Sequence, residues 1–155
     1  MIRFILVAAT ILLYLILSIP VLIFESVIGS KNRRLRDERS ISKVRWVFKI
    51  ILFFAGVKIT VKGKEKIPDD QAVLYVGNHR SYFDILVGYT TVPGLVGFVA
   101  KKEMKKIPLL SNWMEYVNCL FLDRKNLKEG LKTILQGIEQ VKSGISVWIF
   151  PEGTR

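Results

Sequence analysis

Leu127 to Phe150 reads LKEGLKTILQGIEQVKSGISVWIF, and its first part repeats apolar residues at helical spacing through Leu127, Leu131, Ile134, Leu135, Ile138 and Val141. Ser143-Gly144 then ends the helix, and Ile145 to Phe150 follows as a continuous apolar strand. Upstream, Ala72 to Val76, Leu95 to Ala100 and Cys119 to Leu122 have the same strand texture. Lys58 to Lys62 alternates as a half-buried strand closed by Gly63, and Pro68-Asp69-Asp70 signals a turn. Strands alternating with helices indicate an α/β architecture, expected here as a mixed sheet covered by helices. That domain is assigned to residues 58–155, behind an N-terminal region of residues 1–57.

The N-terminal region has a different texture. Phe4 to Phe24 runs for 21 positions without a charge, and at about 1.5 Å rise per residue it matches the roughly 30 Å hydrocarbon core of a bilayer. A cleaved signal peptide is the competing reading, but its apolar region is usually only about 7 to 15 residues and ends in a small-residue site that is not found here. Pro20, near the far end, would kink or end the helix. The next stretch, Lys31 to Lys49, carries eight basic residues against Asp37 and Glu38, a net charge of 8 − 2 = +6 out of +11 for the chain. The positive-inside rule puts that flank, and the domain behind it, on the cytoplasmic side of the cell membrane. The basic residues would also attract anionic phospholipid headgroups, so membrane phospholipids are expected partners and nucleic acid is not. Ile41 to Val57 fits either a basic helix lying in the membrane interface, with Trp46 and Phe48 at the headgroup boundary, or a core helix of the following domain.

Composition narrows the chemistry. The chain's 155 residues allow one domain or most of one. A single Cys and a single His exclude an internal disulfide and a Cys/His metal cluster, and no bound metal is expected. That histidine, His79, lies just past the end of AVLYV, in Gly77-Asn78-His79-Arg80-Ser81-Tyr82-Phe83-Asp84. On a continuous helix, residues five apart stand about 140° from each other, so His79 and Asp84 meet only if the chain turns between them. Ser-x-x-Asp supplies a turn, with Ser81 at the N-cap and Asp84 at N3, leaving His79 in the loop and able to fold back. A capping carboxylate beside an ordinary loop histidine is the bland alternative. An imidazole with an ordinary pKa near 6.5, held by a carboxylate, would nevertheless be a good general base at neutral pH.

These residues resemble a known family. Asn78 to Asp84 is similar to the NHxxxxD block of the glycerolipid acyltransferases. Phe121-Leu122-Asp123-Arg124 resembles their second block, and Phe150-Pro151-Glu152-Gly153-Thr154-Arg155 matches the third, FPEGTR. Val99 to Met104 is similar to the stretch between the first two. The order and spacing agree, and the likeness is greatest to the bacterial 1-acyl-sn-glycerol-3-phosphate acyltransferases. The resemblance implies acyl transfer from acyl-CoA or acyl carrier protein to the sn-2 hydroxyl of lysophosphatidic acid, without a cofactor. It implies His79 as base, Asp84 as its orienting partner and Arg124 as the grip on the acceptor phosphate. Glu152, Gly153, Thr154 and Arg155 would line the acceptor pocket, and Arg80 and Lys101 could add phosphate contacts.

Departures from the pattern are visible. Glu115 to Cys119 stands where the family often carries glycines, which could alter substrate preference. Cys119 invites a transthiolation hypothesis, but its apolar neighbours Leu120 and Phe121 favour a buried structural thiol. Family members usually continue past the third block with another strand, a fourth block and further helices, so the expectation is a fragment or truncated product. The alternatives left open are a different lysophospholipid acceptor and an inactive chain that only binds anionic membranes.

Overall fold

The computed structural model describes residues 1–152. Helix α1 (Ile2–Leu17) and helix α2 (Ile19–Lys31) meet at Ser18 with a bend of 51°. Pro20 explains the break, because a proline in the first turn of α2 has no N–H to continue the ladder of α1. Ser18 fixes it: its hydroxyl donates to the Leu15 carbonyl at 3.0 Å and accepts from Trp113 Nε1 at 2.9 Å. The apolar run from Phe4 to Phe24 is thus two helices with the break just before Pro20, where the sequence places a kink or helix end. No single described helix is long and apolar enough to cross a membrane, whereas the bent pair meets that test jointly. Phe4, Leu12 and Leu13 on α1, and Ile23, Phe24 and Val27 on α2, are exposed.

Helix α3 (Arg33–Ala55) begins at Asn32, whose side chain accepts from Leu35 N at 3.0 Å, and ends at Gly56, whose φ of 71° is the left-handed conformation of a helix stop. Its buried face is Ile41, Val44, Val47, Ile51 and Leu52, and it packs on α1, α2, helix α4 (Phe83–Thr91) and helix α5 (Leu110–Tyr116). Of the two readings left open for Ile41 to Val57, the core helix describes this face, although Trp46 stays exposed. The basic residues are partly spent internally. Glu25 of α2, with no solvent exposure, takes Arg39 at 3.1 Å and Lys43 at 2.8 Å. A buried carboxylate is tolerated only when paired in this way.

Arg45 carries the tie between α3 and the α/β domain. Its Nε donates to Tyr89 O at 2.8 Å, and its Nη2 donates to Val92 O at 2.8 Å and Gly94 O at 2.7 Å. The last carbonyls of a helix have no partner within the helix, and here one guanidinium collects the backbone at the end of α4.

Four strands form one sheet in the order β1-β4-β2-β3: β1 (Leu74–Val76), β2 (Val96–Lys101), β3 (Leu120–Leu122) and β4 (Ser146–Ile149). Val76 pairs with Ile149, Val96 with Ser146, and Val99 with Leu120. Each of these pairings is parallel, so the expected mixed sheet is corrected to a parallel one among the described residues. The reason is the connections, since α4, α5 and helix α6 (Leu127–Lys142) each return the chain to the starting end of the sheet. Lys58 to Lys62 forms no strand; its residues are exposed and pair with nothing in the described sheet, so their alternation recorded no buried face.

Right-handed crossovers place α4 and α5 on one face of the sheet and α6 on the other. Gly97 on β2 is required by packing, because a Cβ there would collide with the Asn118 carbonyl at the entry to β3. The buried residues of α6 are Gly130 and Gly137, and a Cβ on Gly137 would stand 3.1 Å from Leu120 Cδ1. The apolar stripe of α6 points away from the sheet, with Leu127, Leu131, Ile134, Leu135 and Ile138 exposed. The tie at the end of α4 gives a testable expectation. Arg45→Gln should destabilise the chain by about 1 to 3 kcal/mol, the range for losing hydrogen bonds to a charged donor, read by denaturation in detergent micelles. Arg45→Lys should recover only part of the loss, because an ammonium cannot span three carbonyls as a planar fork does.

Candidate active site

β1 ends at Val76 and the parallel pairing carries one residue further, Gly77 N donating to Ile149 O at 3.2 Å. The chain then leaves the C-terminal edge of the sheet, where α/β proteins gather reactive groups, and turns into α4. Asp84 organises the turn. Its Oδ2 accepts from Arg80 N at 2.6 Å and Ser81 N at 2.8 Å and lies 3.3 Å from His79 Nδ1. The helix starts one residue later than the capping pattern implied, with Tyr82 in the cap position. Ser81 Oγ correspondingly accepts from Phe83 N at 3.2 Å, and the Ser81 carbonyl receives Asp84 N at 3.1 Å.

His79 and Asp84 are thus brought together by a loop, at the length of a contact that can tighten once a substrate closes the site. A carboxylate offers only acceptors, so the imidazole proton belongs on Nδ1 in this network and the lone pair on Nε2. Partial burial pushes the Asp84 carboxyl upward, but the Ser81 and Arg80 amides and the His79 ring outweigh it and hold the group below the ordinary aspartate value. A negative charge is therefore kept beside the imidazole.

Sequence reasoning quoted Phe150 in a motif but gave it no role. Its ring stacks on the His79 imidazole, centroids 4.3 Å apart and planes 18° apart. Phe150 follows β4, which pairs directly with β1, so it stands opposite Gly77; a Cβ on that glycine would lie 3.7 Å from the Phe150 ring. The available signal was an aromatic at the last position of an apolar strand, next to a glycine preceding the histidine. Behind it, Trp148 stacks on Tyr75 at 5.1 Å and on Phe98 at 5.1 Å, giving the edge a stiff aromatic floor. Arg45, which ties down the far end of α4, was also missed, because in sequence it reads as one more cation in a basic run.

The remaining expected residues spread along the same edge. Arg80 is exposed and contributes its backbone amide to Asp84. Lys101 is the exposed last residue of β2. Arg124 is exposed two residues beyond β3, and with β1 and β3 at opposite edges of the sheet it starts three strand spacings from the histidine's strand, about 14 Å. Between these ends Lys102 Nζ meets Asp123 Oδ2 at 2.8 Å, which raises the lysine and lowers the aspartate relative to their ordinary values. Glu152 is exposed in the turn after β4, beside β1. Gly153, Thr154 and Arg155 lie outside the described residues. Cys119 sits 3.3 Å from the Tyr89 hydroxyl, and burial pushes its thiol up, the opposite of what a nucleophilic thiolate needs. Among the described residues no three His, Cys, Asp or Glu side chains come together as a metal site.

Comparison with known proteins adds the chemistry. The acyltransferase family model matches residues 58–155. A probable 1-acyl-sn-glycerol-3-phosphate acyltransferase of Mycoplasma pneumoniae is 31% identical over 156 residues, covering 93% of this chain and 58% of that protein. The 1-acyl-sn-glycerol-3-phosphate acyltransferase of Borreliella burgdorferi is 32% identical over 112 residues, covering 72% of this chain and 45% of its own length. The crystal structure of the 1-acyl-sn-glycerophosphate (LPA) acyltransferase PlsC from Thermotoga maritima superimposes with a TM-score of 0.80 at 25% identity, over 99% of this chain and 60% of that one. The chain therefore spans roughly half the length of the relatives it matches.

The lowered Asp84 carboxyl makes a pH-dependent contribution to stability. A group whose folded value is depressed stabilises fully above its unfolded value, about 3.9 for aspartate, and that contribution fades as pH falls through the lower folded value. In urea titrations at stepped pH, the stability gap between the unmodified chain and Asp84→Asn should hold steady near neutrality and close in acid below about pH 4. A gap unchanged down to strongly acidic pH would contradict the hydrogen-bonded carboxylate.

Proposed function

Because the chain belongs to the acyltransferase family, we propose that it carries the catalytic half of an enzyme that acylates the sn-2 hydroxyl of 1-acyl-sn-glycerol-3-phosphate, giving phosphatidic acid. The observation that carries the reading is the His79–Asp84 contact of 3.3 Å on a loop at the C-terminal edge of the sheet. The names and lengths of the relatives support the acceptor class. The donor is an acyl thioester, of coenzyme A or acyl carrier protein.

His79 Nε2 takes the hydroxyl proton as the acceptor oxygen attacks the thioester carbonyl. The new C–O bond forms, the C–S bond breaks, and the imidazolium returns its proton to the departing thiolate. Asp84 holds the tautomer that leaves Nε2 open and stabilises the transient imidazolium. Phe150 fixes the plane of the ring, so that the base does not lose time in unproductive orientations. No covalent acyl-enzyme is needed. The family resemblance supports assigning Arg80, Lys101 and Arg124, along the C-terminal edge of the sheet, to the acceptor phosphate, and arginine's planar fork suits that group; Arg155 is assigned the same role from its motif alone. Glu152, Gly153 and Thr154 are assigned to acceptor binding by their place in the FPEGTR motif.

The acceptor and product are lipids, and the exposed apolar surface of α1 and α2 would seat the enzyme in the membrane that holds them. Positive charge at the start of α3 would keep the catalytic edge on the cytoplasmic side.

Purified in detergent, the chain or its longer parent should release free thiol from acyl-CoA when lysophosphatidic acid is added. His79→Ala should lower that rate by at least about a hundredfold, the usual worth of general base catalysis. Thiol release that survives this substitution would remove His79 as the base. Phe150→Leu should lower kcat by up to about tenfold, in line with the roughly 0.5 to 1.5 kcal/mol of a ring pair. It should leave KM for the acceptor nearly unchanged, and Phe150→Tyr should restore most of the rate.

A further inference from the structure

A pocket lies beside the edge strand remote from His79. It has a volume of about 340 Å³ and opens between the start of α3, the end of α5, strand β3 and helix α6. β3 is the edge strand remote from β1, and Asn118 and Cys119, which line the pocket, enter β3 from its N-terminal end. His79 follows the C-terminal end of β1. The two sites are therefore separated across the sheet, on strands at its opposite edges.

The lining carries three cations and one carboxylate, with the Asp37 carboxylate behind Arg36. Arg33 and Arg36 come from the first turn of α3 and Lys105 from the segment after β2, against one lining carboxylate, Glu115. Arg36 is held in place: its Nε and Nη2 donate to Asp37 Oδ1 at 2.9 Å and 2.6 Å, and its guanidinium lies 4.5 Å above the Tyr116 ring. Gly29 makes room for it, since a Cβ there would stand 2.7 Å from Arg36 Cδ. Arg33 and Lys105 are engaged much more loosely. Arg33 is 72% exposed with its carboxylate contact at 3.9 Å, and Lys105 is 54% exposed with Glu115 also at 3.9 Å. Asn118, only 4% exposed, has an amide nitrogen without a hydrogen-bond partner among the described residues. Its backbone is held in the left-handed conformation, φ 60°. The amides of Gln136 and Gln140 complete the wall, Gln140 donating to the Asn118 carbonyl at 3.1 Å.

A buried amide donor left without a partner is costly, and it belongs to a residue that also lines a pocket holding one fixed guanidinium and two loosely paired cations. That combination favours a compact oxyanion with several acceptors. From this geometry we propose a second anion site, distinct from the acyl-transfer centre, that binds a phosphate group through Arg33, Arg36 and Lys105 with Asn118 beneath. The phosphate can come from an anionic phospholipid headgroup or from a soluble phosphate. α3 starts just after α2, whose exposed apolar residues would lie in lipid, so a headgroup can reach Arg33 without leaving the membrane surface.

The experiment uses the full chain in detergent micelles and measures its affinity for inorganic phosphate by calorimetry. Its affinity for phosphatidylcholine vesicles is measured with and without phosphatidylglycerol. Arg33→Gln with Lys105→Gln, both on exposed side chains, should weaken phosphate binding at least about tenfold, since each basic residue near an anionic group is worth about a factor of five. Lys128→Gln with Lys132→Gln on α6 removes the same charge outside the pocket and should leave phosphate binding within about twofold. A headgroup ligand would show as a larger loss of phosphatidylglycerol-dependent vesicle binding in the pocket variant than in the control. Equal vesicle losses alongside a selective loss of phosphate binding would assign a soluble phosphate. No measurable phosphate binding together with equal vesicle losses, or equal loss of phosphate binding in both variants, would overturn the site. These readouts are independent of acyl transfer, so their failure leaves the catalytic reading where it stands.

Discussion

One carboxylate oxygen holds the reactive corner of this molecule. Asp84 Oδ2 gathers two backbone amides and an imidazole. The amides fix the path of the loop, and the loop fixes the histidine. Partial burial by itself would push the carboxyl above its ordinary value. The two amides and the imidazole outweigh that effect and hold it below the ordinary value, so a negative charge stands beside the ring. The folding role of the residue and its proposed chemical role rest on the same contacts.

That corner is only as rigid as the helix behind it. α4 begins with Asp84 in its first turn, and the backbone at its other end is gripped by Arg45. Arg45 belongs to α3, which also packs on the bent pair α1–α2. The bend is locked in turn by Ser18 and Trp113. A continuous set of contacts thus joins the apolar N-terminal helices to the loop that presents His79. The candidate site is thereby held at a defined attitude to the exposed apolar surface of α1 and α2.

Much of the α/β plan was legible because it rests on local pattern. The helix from Leu127 and the strand to Phe150 fall where the periodicity put them, and three of the other strands match their apolar runs. What failed depended on partners that sequence does not display. Lys58 to Lys62 alternates like a strand, but a strand needs a neighbour. Pro20 marks the break in Phe4 to Phe24, but the hydrogen bond from distant Trp113 that holds Ser18 at the bend has no mark in the sequence. The candidate site was readable in part, since the histidine, the aspartate and the turn between them lie within six residues of chain. Phe150 and Arg45 act across 71 and 44 positions of sequence respectively, and nothing local marks the first as a ring support or the second as a carbonyl clamp.

The ring-on-ring contact between His79 and Phe150 has an evolutionary consequence. Two motifs that look like separate words in the chain share one wall, so neither can drift without disturbing the other. A lineage that replaced the phenylalanine with a smaller side chain would have to re-anchor its base from elsewhere, and the glycine before the histidine leaves little material nearby with which to do so. Divergence in such a protein is expected to be tolerated along the outer strand and helices, and to proceed in step at the junction of β1 and β4.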